Sequence, residues 1–129
     1  MNKSPNISDA EWQVMKVLWE KSPLTSTEII NSLKASTAWS PKTIHTLISR
    51  LVKKGVVGVN KDSSLNEYFP LVTEEECRRV ETKSFIQKVY DGSLHLLIKS
   101  FIENEKLTSE EIDELRRMLD EKNKQGGDK

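Results

Sequence analysis

The architecture of this chain follows from residues 39–55, which read WSPKTIHTLISRLVKKG. Ser40 can cap a helix N-terminus, and Pro41 suits the first helical position because its missing N–H costs nothing there. Gly55 supplies the left-handed residue that closes a helix. Between these signals, apolar residues recur with the spacing typical of a helix that buries one face. They are Ile44, Leu47, Ile48, Leu51 and Val52.

The opposite face of this predicted helix carries basic and hydroxyl side chains and no acid. An acid-free run extends from Trp39 to Lys61 and contains five basic residues. Such a face fits a helix that enters the major groove of DNA, although an ordinary surface helix with a solvated basic face would look alike. We predict base contacts from Lys42, Thr43 and Thr46, phosphate contacts from Arg50, Lys53, Lys54 and Lys61, and further DNA contacts from Ser40 and His45.

The charge distribution supports this prediction better than the composition does. The 129 residues carry no net charge, but residues 1–70 hold nine Lys or Arg and six Asp or Glu, whereas residues 71–129 hold eleven and fourteen. The net charges are therefore +3 and −3, with the basic excess in the half that contains the acid-free run. We find no apolar run of membrane-spanning length and no signal peptide, and we expect a cytoplasmic protein.

Two shorter helices are expected before the basic one, and a hairpin after it. Capping boxes at Ser8–Glu11 and Thr25–Glu28 open the two helices. Residues 56–61 and 66–70 read as two strands joined by turn residues. Three short helices followed by a hairpin form a winged helix-turn-helix, with Lys61 near the wing tip. A hairpin that only covers the core is the alternative. We expect Trp39 to pack on the core rather than to touch DNA.

The second half of the chain reads as helices only. Capping boxes at Thr73–Glu76 and Thr108–Glu111 start two of them, and the apolar segment 93–102 lies between. Because so short a half cannot bury this segment alone, we predict a winged-helix DNA-binding domain over 1–71 and an all-helical dimerisation domain over 72–129. A monomer whose second half folds back on the first is the alternative. The predicted dimer interface contains Phe85, Val89, Leu94, Leu97, Ile98 and Leu115.

Nothing in the sequence points to catalysis or to a bound cofactor. His45 and His95 belong to different elements, and neither HxxxH nor CxxC spacing occurs, so we predict no metal site. There is no GxSxG motif and no glycine-rich phosphate loop. We expect Cys77 to be a small packing residue, with a redox sensor as the alternative, and His95 to lie in a core or interface.

Several strings in this chain resemble the BlaI/MecI family of winged-helix repressors. They include Ile7–Trp12, the WSPKTI string of residues 39–44, and Arg50–Leu51 with Lys54–Gly55. In the second half, Phe85, Val89–Tyr90, Gly92 and residues 110–116 also resemble the family's dimerisation domain. The resemblance extends from Ile7 to about Leu119.

This resemblance implies a homodimer that represses β-lactamase or methicillin-resistance genes from palindromic operators with TACA/TGTA half-sites. It also implies release when a membrane receptor senses a β-lactam and the repressor is cut in its dimerisation domain. The family's cut precedes a phenylalanine aligned with Phe101 and follows an asparagine, where this chain has Ser100. Two other functions stay open: a regulator of other genes with a non-proteolytic inducer, and a protein–protein interaction module.

Overall fold

A computed structural model describes residues 6–62 and 64–126. The chain forms two compact units, of which the first ends at Ser84 and the second begins at Phe85. The predicted fold class, mainly helical with a small hairpin after the basic helix, is confirmed. The functional division at residue 71 stays a prediction. The elements are α1 (Asp9–Glu20), β1 (Leu24–Thr25), α2 (Ser26–Lys34), α3 (Pro41–Lys54), β2 (Val57–Asn60), β3 (Glu67–Pro70), α4 (Glu74–Tyr90), α5 (Leu94–Asn104) and α6 (Ser109–Gln125).

All four predicted capping boxes are present. In each, the backbone N–H of the capping residue donates to the glutamate three residues later, whose own N–H donates back to the cap hydroxyl. The donor–acceptor distances lie between 2.9 and 3.2 Å. These local bonds satisfy N–H groups that helix starts leave free, which is why four helix starts could be predicted from short strings.

The sheet has three antiparallel strands in the order β1-β3-β2, one more than predicted. In the hairpin, Gly58 pairs with Phe69, and a Cβ atom at Gly58 would lie 2.6 Å from the Phe69 ring. A glycine is needed there because the ring crosses β2. The missed strand β1 has two residues, too few for a recognisable alternation, and it exists through pairing of Leu24 with Tyr68.

One hydrophobic core lies in the first unit, between α1, α2, α3 and the sheet. Trp39 packs against it, as predicted. The start of α4 belongs to the same core, since Cys77 is 2% exposed and the Trp19 indole donates to the Val72 carbonyl at 2.9 Å. The predicted packing role of Cys77 is therefore confirmed. The apolar side chains with the least exposure are Val14, Met15, Leu18, Ile29, Ile44, Leu51 and Val56.

The second unit, described by itself, has an exposed apolar surface. No described residue of α5 or α6 is buried. Although α5 is strongly apolar, no helix in the described ranges has both the length and the hydropathy of a membrane span. The large apolar side chains of this unit that are 40–70% exposed are Phe85, Val89, Leu94, Leu96, Ile98, Phe101, Ile102, Ile112, Leu115, Met118 and Leu119.

Candidate nucleic-acid interface

Helix α3 is held so that one face is buried and the other is presented to solvent. Its buried residues are Ile44, Leu47, Ile48 and Leu51. Ser40 caps its start, accepting from the Thr43 N–H at 3.2 Å, and Gly55 ends it with a left-handed φ of 83°. Both ends and the apolar stripe are therefore as predicted, and they determine which residues of α3 can meet a partner.

The exposed face of α3 forms a shallow concavity without an acidic lining residue. Basic side chains from different turns of α3 border the concavity, because residues four apart lie on the same face of a helix. His45, Thr46 and Ser49 lie between them. The lining residues are Lys42, His45, Thr46, Ser49, Arg50, Val52 and Lys53. The structure thus brings together most of the predicted DNA-binding residues; their contacts with DNA stay a prediction.

The hairpin extends this surface on one side of α3. A second depression is bordered by Ser49 and Val52 of α3 and by Lys61, Asn66 and Tyr68 of the hairpin. Lys61 is exposed at the end of β2 and adds a positive charge beside the helix. We call the two depressions together the α3–wing surface. In shape it resembles the contact surface of a winged helix. In such a surface a helix can enter a groove of DNA, and a basic residue of the hairpin can contact the phosphate backbone of the DNA beside it.

Three hydroxyl groups of α3 and of its capping residue have hydrogen-bond partners within the chain. Thr46 Oγ1 donates to the Lys42 carbonyl at 3.1 Å. The hydroxyls of Ser40 and Thr43 lie 3.2 Å apart, and either can be the donor. Ser40 and Thr43, both predicted to contact DNA, are therefore also the residues that start the helix.

Lys54 was predicted to contact phosphate, but its ammonium group lies against an acid of α1. Lys54 Nζ is 2.5 Å from Glu11 Oε1 and 2.8 Å from the Asn6 carbonyl oxygen. Glu11 is only 1% exposed, and the Ser8 N–H donates to the same carboxylate at 2.9 Å. A phosphate contact by Lys54 would have to compete with a buried carboxylate, so Lys54 differs from the other lysines of α3.

The sequence contained a signal for this buried acid that we did not use. Glu11, Val14, Met15 and Leu18 follow the i, i+3, i+4, i+7 spacing, which places Glu11 on the buried stripe of α1. A charge on such a stripe requires a counter-charge, and Lys54 supplies it. The capping box accounts for one role of Glu11, and the same carboxylate also pairs with Lys54.

Burial by itself would raise the pKa of Glu11. The Lys54 hydrogen bond, the Ser8 N–H and the Lys54 charge together outweigh it, so the pKa of Glu11 lies below its ordinary value. The carboxylate is therefore charged at neutral pH and holds Lys54.

In the part of the chain that the structure describes, no group of three or more His, Cys, Asp or Glu is placed to hold a metal ion.

The family model of the penicillinase repressor matches residues 7–121. The methicillin resistance regulatory protein MecI of Staphylococcus aureus is 43% identical over 121 residues, which are 94% of this chain and 98% of that protein. The penicillinase repressor of Bacillus licheniformis is 41% identical over 121 residues, covering 94% of each chain. These matches extend across both units.

Solved structures of the repressor BlaI are also similar to this chain. The solution structure of the DNA-binding domain of the repressor BlaI is 43% identical, with a TM-score of 0.52, and covers 59% of this chain and 93% of that one. The monomeric form of Bacillus licheniformis BlaI in complex with the blaP half-operator gives the same values. A MarR family protein from Bacillus stearothermophilus, 21% identical with a TM-score of 0.51 over 94% of this chain and 76% of that one, shares the fold.

We predict that breaking the Glu11–Lys54 pair destabilises the first unit. Lys54→Met leaves a buried carboxylate without its cation. The cost is about 2 kcal/mol, below the 3–5 kcal/mol of fully buried pairs because the Lys54 side chain is 33% exposed. Lys53→Met, beside it on α3, is the matched control and changes stability by less than about 0.5 kcal/mol. Urea denaturation measures both.

The pH dependence of stability in a further variant, Glu11→Gln, tests whether the Glu11 carboxylate is charged in the folded protein. The folded pKa of Glu11 lies below its unfolded value of about 4.3, so its contribution is complete above that pH and is lost as the pH falls through the folded pKa. The stability gap between the wild type and Glu11→Gln should therefore close under acidic conditions. A gap that stayed constant down to the acid transition would contradict a charged Glu11.

Proposed function

The chain belongs to the penicillinase repressor family, and on this premise we propose that it represses β-lactam-resistance genes by binding their operator DNA. The observation that carries the proposal is the exposed face of α3, which presents Lys42, Arg50 and Lys53 without an acidic neighbour. Such a face attracts the phosphate backbone and admits base edges between its cations. The BlaI relative solved with a half-operator supports the same use of this fold.

In this proposal α3 lies in the major groove. Lys42 and Thr46, in its first two turns, reach base edges, while Arg50 and Lys53, farther along, neutralise phosphates. Lys61 on the hairpin meets the backbone beside the groove. The recognised sites are palindromes with TACA/TGTA half-sites, as the family resemblance implies. A protein with this role acts where the bacterial chromosome is, in the cytoplasm.

We propose that the repressor is a homodimer held by the second unit. The apolar side chains of α5 and α6 remain 40–70% exposed in a single chain, more than a water-soluble surface normally leaves in one region. On α6, Ile112, Leu115 and Leu119 form a stripe at helical spacing. A second copy offers the same stripe in return, and its two-fold axis would match the symmetry of a palindromic operator.

We further propose that the repressor is released by a cut between Ser100 and Phe101, made by a membrane-bound β-lactam sensor or a protease that it activates. The bond lies inside α5 (Leu94–Asn104), and the Ser100 carbonyl also accepts a hydrogen bond from the Asn104 side chain at 2.8 Å. A protease must first open this helix, so the cut depends on local unfolding. Phe101 itself is 52% exposed in a single chain.

The first prediction of this proposal separates base reading from phosphate binding. Lys42→Ala should cost about 1–3 kcal/mol on operator DNA and relax its sequence preference, because Lys42 contacts a base. Arg50→Ala should weaken binding to all duplexes alike and lower the salt slope by about one phosphate contact. Fluorescence anisotropy over a salt series measures both. Lys122→Ala in α6 removes the same charge elsewhere and should change neither; unchanged operator affinity in Lys42→Ala would contradict the assigned orientation of α3.

The second prediction concerns assembly. Leu115→Lys places a charge in the predicted interface and should give a monomer by sedimentation at micromolar concentration. Glu121→Gln raises the charge by the same one unit on the opposite face of α6 and should leave the dimer intact. The monomer should lose operator affinity by about 10² or more, because the second half-site is no longer bound as a linked event. A wild-type protein that sediments as a monomer would refute the proposed dimer.

The third prediction concerns release. Mass spectrometry of the repressor from β-lactam-treated cells should show fragments that end at Ser100, and untreated cells should not. Ser100→Asn restores the family's residue before the cut and should be cleaved at least as fast. Full induction with intact repressor would contradict proteolytic release and favour another signal.

A further inference from the structure

The unusual chemical feature of the α3–wing surface is Thr46, whose hydroxyl faces inward. Thr46 is exposed in the middle of α3, one turn after Lys42 and one turn before Arg50. Its Oγ1 donates to the Lys42 carbonyl at 3.1 Å, so the single hydroxyl proton is used within the helix. Because Oγ1 and Cγ2 diverge from the same Cβ atom, a hydroxyl turned to the backbone leaves the methyl group as the part that projects outward.

From this geometry we propose that Thr46 selects thymine through its methyl group rather than through a hydrogen bond. The inference rests on the proposed function, in which α3 lies in the major groove of an operator. There, thymine is the one base that presents a methyl group, at C5, and a threonine methyl is a suitable apolar contact for it. Cytosine offers a hydrogen-bond donor and no methyl group, so the contact distinguishes the two pyrimidines.

The surrounding side chains favour this division of roles. Lys42 and His45 supply hydrogen-bond donors in the same concavity, so hydrogen-bond recognition of a base does not require Thr46. The Thr43 hydroxyl is paired with Ser40, and either group can be the donor there, so Thr43 keeps the option of a hydrogen bond. Thr46 has a defined donor role toward the backbone, and this distinguishes the two threonines.

The test compares thymine with deoxyuridine, which lacks only the C5 methyl group. A palindromic duplex with TACA/TGTA half-sites is made with each half-site thymine replaced singly and symmetrically by deoxyuridine. The readout is the ratio of affinities for the thymine and deoxyuridine duplexes, measured for the full-length wild type, Thr46→Val and Thr46→Ser. Valine keeps the outward methyl without the hydroxyl, and serine keeps the hydroxyl without the methyl. Thr82→Ser on α4 is the matched control.

For one thymine position, we expect a ratio of about fifteen in the wild type, because symmetric replacement removes one methyl contact from each of the two half-sites and each is worth a factor of about four. Thr46→Val and Thr82→Ser should keep that ratio, and Thr46→Ser should lower it to about one. A ratio lost in the valine variant and kept in the serine variant would overturn the inference, as would a wild-type ratio of one at every position. A wild type that binds this duplex no better than an unrelated one would instead overturn the proposed function. Circular dichroism melting checks that every variant is folded.

Discussion

The buried carboxylate of Glu11 is the constraint on which the orientation of the candidate interface depends. It accepts the Ser8 N–H at the start of α1 and the Lys54 ammonium at the end of α3, while Lys54 also holds the Asn6 carbonyl. One side chain thus joins the segment before α1, α1 itself and the last turn of α3. A rotation of α3 about its axis would break this pair and leave the Glu11 charge buried without its cation, at a cost of about 2 kcal/mol. The Glu11–Lys54 pair therefore reinforces the orientation that the buried apolar stripe of α3 gives to its exposed face.

The same pair changes how the charge of α3 should be counted. Lys53 and Lys54 are adjacent in the sequence, but a step of one residue turns about 100° around a helix, so they point in different directions. Lys53 lines the exposed concavity, whereas Lys54 is neutralised by Glu11. The positive potential toward a nucleic acid comes from Lys42, Arg50, Lys53 and Lys61, one lysine fewer than the sequence suggests. Removing Lys54 would chiefly affect folding, and removing Lys53 would chiefly affect binding.

What could be predicted from the sequence is what local bonds determine. The capping boxes, the ends of α3 at Ser40 and Gly55, and its buried stripe are properties of a few neighbouring residues, and the structure confirms them. Pairings between distant residues were missed. The strand β1 exists through its contact with β3, and the partner of Lys54 lies 43 residues away. The direction of the Thr46 hydroxyl is a rotamer choice, which no residue pattern reveals.

In the proposed repressor, the first unit binds DNA and the second unit holds the dimer together. This separation of roles makes release by one cut physically reasonable. The first unit has a hydrophobic core of its own. The second unit leaves its apolar helices exposed, and burying that surface at about 25 cal/mol per Å² is what would hold a dimer together. In the proposed mechanism, a cut inside α5 would damage the surface that gives two-site binding and would leave α3 and its basic face intact. Each released DNA-binding unit would then keep its own contacts but lose the gain from linkage, about 10² or more in affinity. Regulation of this proposed kind would need no change in the residues of α3 that are predicted to contact DNA, because the cut would act on the surface between the two copies.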